Sequence, residues 1–148
     1  TEDLSMEIEQ SGAVIHKDDF SPIIGIPRQI QQLFQNLLSN AIKYTDKGVT
    51  PIIYIKHELV TNIEKPIDRL LPNTTYCKII FEDNGIGFNQ EYAEKIFQMF
   101  FRLHGKAEYS GTGIGLAICR RIAENHQGTI IAESVEGKGT RFEVYLRC

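Results

Sequence analysis

The amino-acid sequence predicts one α/β domain, and three observations carry that expectation. A chain of 148 residues with 42% hydrophobic content has the size and make-up of one folded unit with a real core. Several segments space their apolar residues as helices do, and several others, of strand length, are rich in β-branched and aromatic residues. Together they give about five strands and about three helices in one domain spanning residues 1–148, with residues 1–12 as a linker or disordered lead-in.

Taken in order, the apolar runs between Ala13 and Ile26, broken by Pro22 and Gly25, read as one or two short strands. Pro27 then stands where a first helical residue belongs, because its φ is preset and its missing N–H would be unpaired there anyway. From Arg28 to about Tyr44 the residues Ile30, Leu33, Phe34, Leu37, Leu38, Ala41 and Ile42 step by three and one, a wide apolar stripe that must pack on a core. The runs PIIYIKHEL (51–59) and YCKIIFED (76–83) read as strands, joined by a surface connection with two prolines and mixed charge. A second helix, roughly Gln90 to Met99, leads into a polar, glycine-containing span. A third follows, with Ile114, Ala117, Ile118, Ile122 and Ala123 on its apolar face, and Gly128 is placed to stop it. Two strands around a turn at Gly137 to Gly139 close the chain.

Bulk properties exclude several function classes. A net charge of −3 with scattered Lys and Arg gives no attraction for nucleic acid or anionic lipid. The three cysteines, Cys77, Cys119 and Cys148, are odd in number and form no C-x-x-C, which argues against a disulfide framework or a zinc site and for a reducing compartment. No apolar run is long enough to span a bilayer and no signal peptide is present, so no membrane contact is expected of this chain. A start at Thr1 without methionine reads as a piece of something longer.

Three motifs carry chemistry. The stretch SGTGIGLAICRRIAENHQGTI (110–130) puts Gly111, Gly113 and Gly115 at the entrance of a helix, where free N–H groups and a partial positive charge can hold an anion if no Cβ intervenes. Neither of two familiar phosphate motifs fits. Leu116 stands where a dinucleotide fingerprint needs its third glycine, and neither Gly105-Lys106 nor Gly137-Lys138 is followed by the Ser or Thr of a P-loop. Alone, the stretch is equally consistent with a loosened helix start that binds nothing. Asn36, Asn40 and Lys43 lie within about 60° of one another around the first long helix. Most helices carry a solvated polar face, but mid-helix asparagines cost propensity and offer neutral oxygens suited to Mg²⁺. The third motif is FEDNGIGF (81–88), a strand ending in Asp83 and running into Asn84-Gly85-Ile86-Gly87. By itself it is an ordinary turn. Jointly the three suggest a ligand with a donor edge and an anionic tail, as purine nucleotides have.

In the same order, NLLSNAIKYT, DNGIGF, IFQMFFR, GTGIGLAI and GKGTRF resemble the N box, first glycine box, F box, second glycine box and final GTxF motif of the ATP-binding catalytic domain of sensor histidine kinases. The resemblance runs from Ala13 to Leu146. It implies the Bergerat fold, a two-layer sandwich whose mixed, mostly antiparallel sheet is covered on one face by the helices. It implies ATP and Mg²⁺ as ligands, with Asp83 accepting the exocyclic amine of adenine, Thr140 supporting that carboxylate or its bridging water, and Gly85 and Gly87 close to the ring. GTP, with a carbonyl oxygen at that place, is then expected to bind poorly. Tyr44 would lie against the base, Asn40 would hold Mg²⁺, Asn36 and Lys43 would assist metal and phosphates, and Gly111, Thr112, Gly113, Gly115 and Leu116 would wrap the triphosphate. Residues 102–112 would form a lid anchored by Phe97, Phe100 and Phe101, with Arg102 as a stabiliser of transition-state charge.

One departure bears on the reaction. Hydrolases of the wider superfamily carry a glutamate one turn before the metal-binding asparagine; here that position is Asn36, which cannot act as a general base. Transfer of the γ-phosphoryl group to a histidine on a separate dimerisation domain is therefore expected, followed by a response regulator receiver domain. His16, His57, His104 and His126 all lack the setting of the family's acceptor histidine. The resemblance places the domain in the cytoplasm, with a parent protein either membrane-anchored or not. A nucleotide-sensing module without phosphotransfer and a protein-serine kinase of the anti-sigma-factor type are the alternatives.

Overall fold

The computed structural model describes residues 9–17, 25–45, 48–61, 70–98 and 115–147. Five strands form one sheet: β1 (Val14–Lys17), β2 (Ile52–Val60), β3 (Tyr76–Asp83), β4 (Thr129–Val135) and β5 (Gly139–Arg147), in the order β1-β2-β3-β5-β4. Only β1 runs parallel to its neighbour β2; the other pairs are antiparallel. The helices are α1 (Pro27–Lys43) and α2 (Gly115–Asn125). Residues 9–11, within the expected lead-in, are helical.

Strand alternation sends every second side chain to the helices. Ile53 and Ile55 of β2, Ile79 and Phe81 of β3, and Phe142, Val144 and Leu146 of β5 meet Leu33, Leu37 and Ala41 of α1 and Cys119, Ile122 and Ala123 of α2 in one core. Phe34 packs edge-on against Phe81 with ring centres 5.3 Å apart. Leu33 and Leu37 are almost fully buried, each worth about 2–3 kcal/mol of apolar transfer. The opposite face of the sheet carries ion pairs such as Lys78 to Glu58 and to Glu143, both at 3.4 Å. This is the two-layer, mostly antiparallel α/β arrangement that the sequence motifs imply.

Pro27 is the first residue of α1, as expected, and no side chain of the preceding Ile26 caps the helix. A distant residue supplies a partner instead. The Ile26 N–H donates to Nε2 of His126 at 3.0 Å, while Nδ1 of the same ring lies 2.8 Å from the Ile122 carbonyl, so Nδ1 carries the proton of a neutral, buried imidazole. The other end of α1 closes with the Thr45 hydroxyl donating to the Ala41 carbonyl at 2.7 Å.

Three expectations are corrected. The helix expected over Gln90 to Met99 is two single 3₁₀ turns, Gln90–Tyr92 and Lys95–Phe97. Tertiary anchors outweigh the weak propensity of so short a helix. The Gln90 amide acts as a substitute strand on the free edge of β4, donating to the Ala132 carbonyl at 3.2 Å and accepting from the Ser134 N–H at 2.8 Å. Arg120 of α2 pairs with Glu94 at 2.8 Å and lies over the Phe97 ring at 4.2 Å. Second, Gly128 does not stop α2 by its own left-handed backbone. Gln127 takes that conformation (φ 61°), and the N–H groups of Gln127 and Gly128 reach back to Glu124 and Ala123. Glycine is needed at 128 because a Cβ there would lie 1.6 Å from the Tyr145 carbonyl of β5. Third, Cys77 is disulfide-bonded, against the expectation from cysteine count; Cys119 is a free, buried thiol and Cys148 lies outside the described residues.

Candidate functional site

The site is built where β3 ends and β5 begins, beside the end of α1. Register pairs Asp83 with Ile53 on one side and Thr140 on the other, so its carboxyl points to the helix-covered face. One oxygen, Oδ1, accepts the Gly85 N–H at 2.8 Å and the Thr140 N–H at 3.3 Å. No described residue donates to Oδ2. Burial pushes the Asp83 pKa up to about 6, against the opposing pull of those two N–H groups. At neutral pH the group is a half-buried carboxylate with one oxygen uncommitted.

The turn after Asp83 is held by the protein itself. Asn84 bridges to the start of β2, accepting from the Ile52 N–H at 2.8 Å and donating to the Thr50 carbonyl at 3.0 Å. The Ile86 N–H donates to the Tyr44 carbonyl at 2.8 Å, which fastens the end of α1 to the turn. A Cβ on Gly85 would lie 2.6 Å from that carbonyl, and one on Gly87 (φ 65°) would lie 2.3 Å from the Val135 carbonyl. Both glycines thus have a reason internal to the fold, apart from any ligand. Thr140 supports Asp83 through its main-chain N–H, while its hydroxyl turns to Ser134 Oγ at 3.0 Å.

Asn36, Asn40 and Lys43 share a half-buried face of α1, as their spacing predicts. Asn36 Nδ2 donates to the Gly115 carbonyl at 3.3 Å, joining this face to the start of α2. Asn36 also hydrogen-bonds the Cys119 thiol, which burial pushes up to about 12 and so keeps protonated. The Asn40 amide and the Lys43 ammonium have no partner among the described residues. Gly115 begins α2, and a Cβ on it would meet nothing closer than Asn36 Cγ at 4.0 Å; Leu116 packs against the core. Arg102, Gly111, Thr112 and Gly113, and with them the expected lid over 102–112 and its anchors Phe100 and Phe101, lie outside the described residues. A shallow depression of about 730 Å³ is lined by Asp83, Thr140 and Ser134 together with Glu82, Glu133 and Arg141, and by no residue of α1. It is not where the three motifs converge.

Sequence reasoning missed Ser134, Gln90 and Arg120, and read Asn84 only as part of the turn after Asp83. Ser134 alone left a trace, as a polar residue at the inward position of a strand whose earlier inward residues are Ile130 and Ala132. Gln90 and Arg120 act on elements far away in sequence, and nothing local marks them.

The described residues thus offer an open carboxylate oxygen, a half-buried amide and ammonium, and a helix that opens on glycine. The family of histidine kinase-, DNA gyrase B-, and HSP90-like ATPases matches residues 25–148. The chain belongs to that family. Within it, the chain is an ATP-binding catalytic domain of the histidine kinase kind, and its relatives include histidine protein kinase 1 of Candida albicans, 37% identical over 126 residues. The chain is 40% identical over 140 residues to phytochrome-like protein Cph1 of Synechocystis sp., covering 94% of this chain and 17% of that protein. It is 33% identical over 153 residues to the aerobic respiration control sensor protein ArcB of Escherichia coli, covering 96% and 17%. The solved catalytic domain of histidine kinase ThkA, in a nucleotide-free form, superposes with a TM-score of 0.69 at 26% identity, covering 97% of this chain and 86% of that one. The chain spans 17% of the length of each of the Synechocystis and Escherichia coli relatives. No helix among the described residues is long and apolar enough to cross a membrane.

Proposed function

We propose that this domain binds ATP with Mg²⁺ and transfers the γ-phosphoryl group to a histidine on a dimerisation domain of its parent protein, from which a response regulator receiver domain then takes it. The observation that carries the reading is Asp83: one oxygen is saturated by main-chain N–H groups and the other is open, which suits the exocyclic amine of adenine. Tyr44 lies against the base in this reading. Lys43 and the glycine-led start of α2 hold the phosphates, with Gly111, Thr112, Gly113 and Leu116, and Arg102 steadies the charge that develops on the transferred group. Among the described residues none demands glycine at 115 by close packing, which supports a ligand there.

Among the described residues no group of three or more His, Cys, Asp or Glu could hold a metal. A cation beside α1 would therefore rest on amide oxygens, Asn40 first and Asn36 second, and on the ligand's own phosphates. That donor set suits Mg²⁺, which takes few protein ligands. Asn36 gives an amide proton to the Gly115 carbonyl, and its amide oxygen is an acceptor free of any bond among the described residues.

The acceptor histidine lies elsewhere in this reading. His126 is buried with both ring nitrogens engaged, and His16 is stacked on Tyr54. Asn36, in the position of a general base, favours transfer over hydrolysis. Cytoplasmic residence, where ATP is supplied, goes with this assignment. The test mixes the chain with the purified dimerisation domain of its parent and γ-labelled ATP. Acid-labile phosphohistidine is expected; acid-stable phosphoserine, or binding with no transfer, refutes the assignment.

A further inference from the structure

Ser134 stands behind Asp83 without touching it, yet its hydroxyl joins three parts of the site. It is 7% exposed, on the inward face of β4. Its Oγ accepts the Phe88 N–H at 2.9 Å, donates to the Gly139 carbonyl at 2.8 Å and lies 3.0 Å from Thr140 Oγ1. A hydroxyl has one proton and two lone pairs. The proton is spent on Gly139 and one lone pair on Phe88, so only a lone pair remains for Thr140. Thr140 must be the donor in that contact. Its own oxygen then keeps two lone pairs and no free proton, and it stands on the strand position paired with Asp83.

We infer that Ser134 determines base specificity by fixing the Thr140 proton, so that Asp83 Oδ2 and Thr140 Oγ1 together present acceptors only. Such a pair admits a ring edge that donates, directly or through a water, and rejects one that carries a carbonyl oxygen. Ser134 is a positioning residue acting through Thr140. This deepens the reading in which Asp83 meets the base and rests on it.

The main chain of Thr140 is held in place on both sides. Its N–H is already given to Asp83 Oδ1, and the turn that carries it is held by Gly139, whose φ of 114° and whose approach to the Asp83 carbonyl leave no room for a Cβ. Replacing Ser134 by alanine removes the lone pair that captures the Thr140 proton, and the freed hydroxyl can rotate and donate to a carbonyl. Discrimination against a C6 carbonyl should therefore fall, by about the tenfold that one hydrogen bond is worth.

The experiment measures calorimetric affinities of the chain for ATP and for inosine triphosphate, which bears a carbonyl where adenine has its amine, at pH 7.5. Wild type, Ser134→Ala, Thr140→Val and the double variant are compared. Ser134→Ala is expected to lower the ATP to inosine triphosphate preference about tenfold, and to change it no further in the Thr140→Val background. A preference that stays constant while both affinities fall together makes Ser134 purely structural and overturns the inference, as does an equal effect in the Thr140→Val background. Should Ser134→Ala fail to fold, Thr140→Val, which keeps its shape, must lower the preference by itself; an unchanged ratio overturns the inference. A wild-type chain that binds neither nucleotide overturns the underlying assignment of Asp83, and this inference falls with it.

Discussion

Asp83→Asn is expected to make the unliganded domain more stable and its nucleotide binding weaker. Folding raises the carboxyl from an ordinary 3.8 to about 6, so the folded state holds this proton more tightly than the unfolded one. The resulting stability is present in full below pH 3.8 and is lost as pH rises through about 6. From 3.8 to about 6, at about 1.4 kcal/mol per tenfold in proton affinity, the ionised carboxylate costs the unliganded fold on the order of 3 kcal/mol at neutral pH. Asparagine keeps the shape and an oxygen for the Gly85 and Thr140 N–H groups, though as a weaker, neutral acceptor. A net gain of about 1–2 kcal/mol remains, or roughly 3–6 °C in Tm for a domain of this size. Scanning calorimetry without nucleotide should show that rise at pH 7.5 and almost none at pH 4. The same change turns the open acceptor into an N–H donor, so ATP affinity should drop about tenfold or more, as loss of a hydrogen bond to a charged group does. Wild-type affinity should fall likewise below pH 6. A Tm that drops at pH 7.5, or an unchanged ATP affinity, refutes the assignment of a strained, ligand-facing carboxylate.

Asn40→Asp places a charge where a neutral metal ligand is proposed and should shift the Mg²⁺ dependence of ATP binding; an unaltered magnesium titration counts against that role. Leu33→Ala, at a fully buried position on α1, should cost about 2–5 kcal/mol in urea unfolding, and a loss under about 1 kcal/mol contradicts the packing described. Gly128→Ala meets the Tyr145 carbonyl head-on and should destabilise far more than Gly137→Ala, where no atom lies within 4 Å and only the left-handed backbone costs about 1–2 kcal/mol. Equal melting temperatures for the two variants dispose of that reasoning. His126→Ala should speed hydrogen exchange at Ile26, whose N–H loses its acceptor, and His126→Gln should restore part of the protection.

Periodicity sufficed for α1, β2, β3 and the closing hairpin, because their apolar residues recur at 3.6 or 2 within the segment itself. The three polar motifs were equally legible, since glycine runs, mid-helix asparagines and a strand-ending aspartate are unusual locally. The 3₁₀ turns were not, because Gln90 and Arg120 act across the fold. The purposes of Gly85, Gly87 and Gly128 were hidden as well, since each is set by a carbonyl from another element. By itself, then, the sequence determined α1, β2, β3 and the closing hairpin, and it singled out the polar residues proposed to meet a ligand: those depend on spacing and chemistry within a few residues. Tertiary structure alone decided which Asp83 oxygen stays open, which way the Thr140 proton points and what holds the start of α1, because hydrogen bonds join groups by direction and distance, however far apart in the chain.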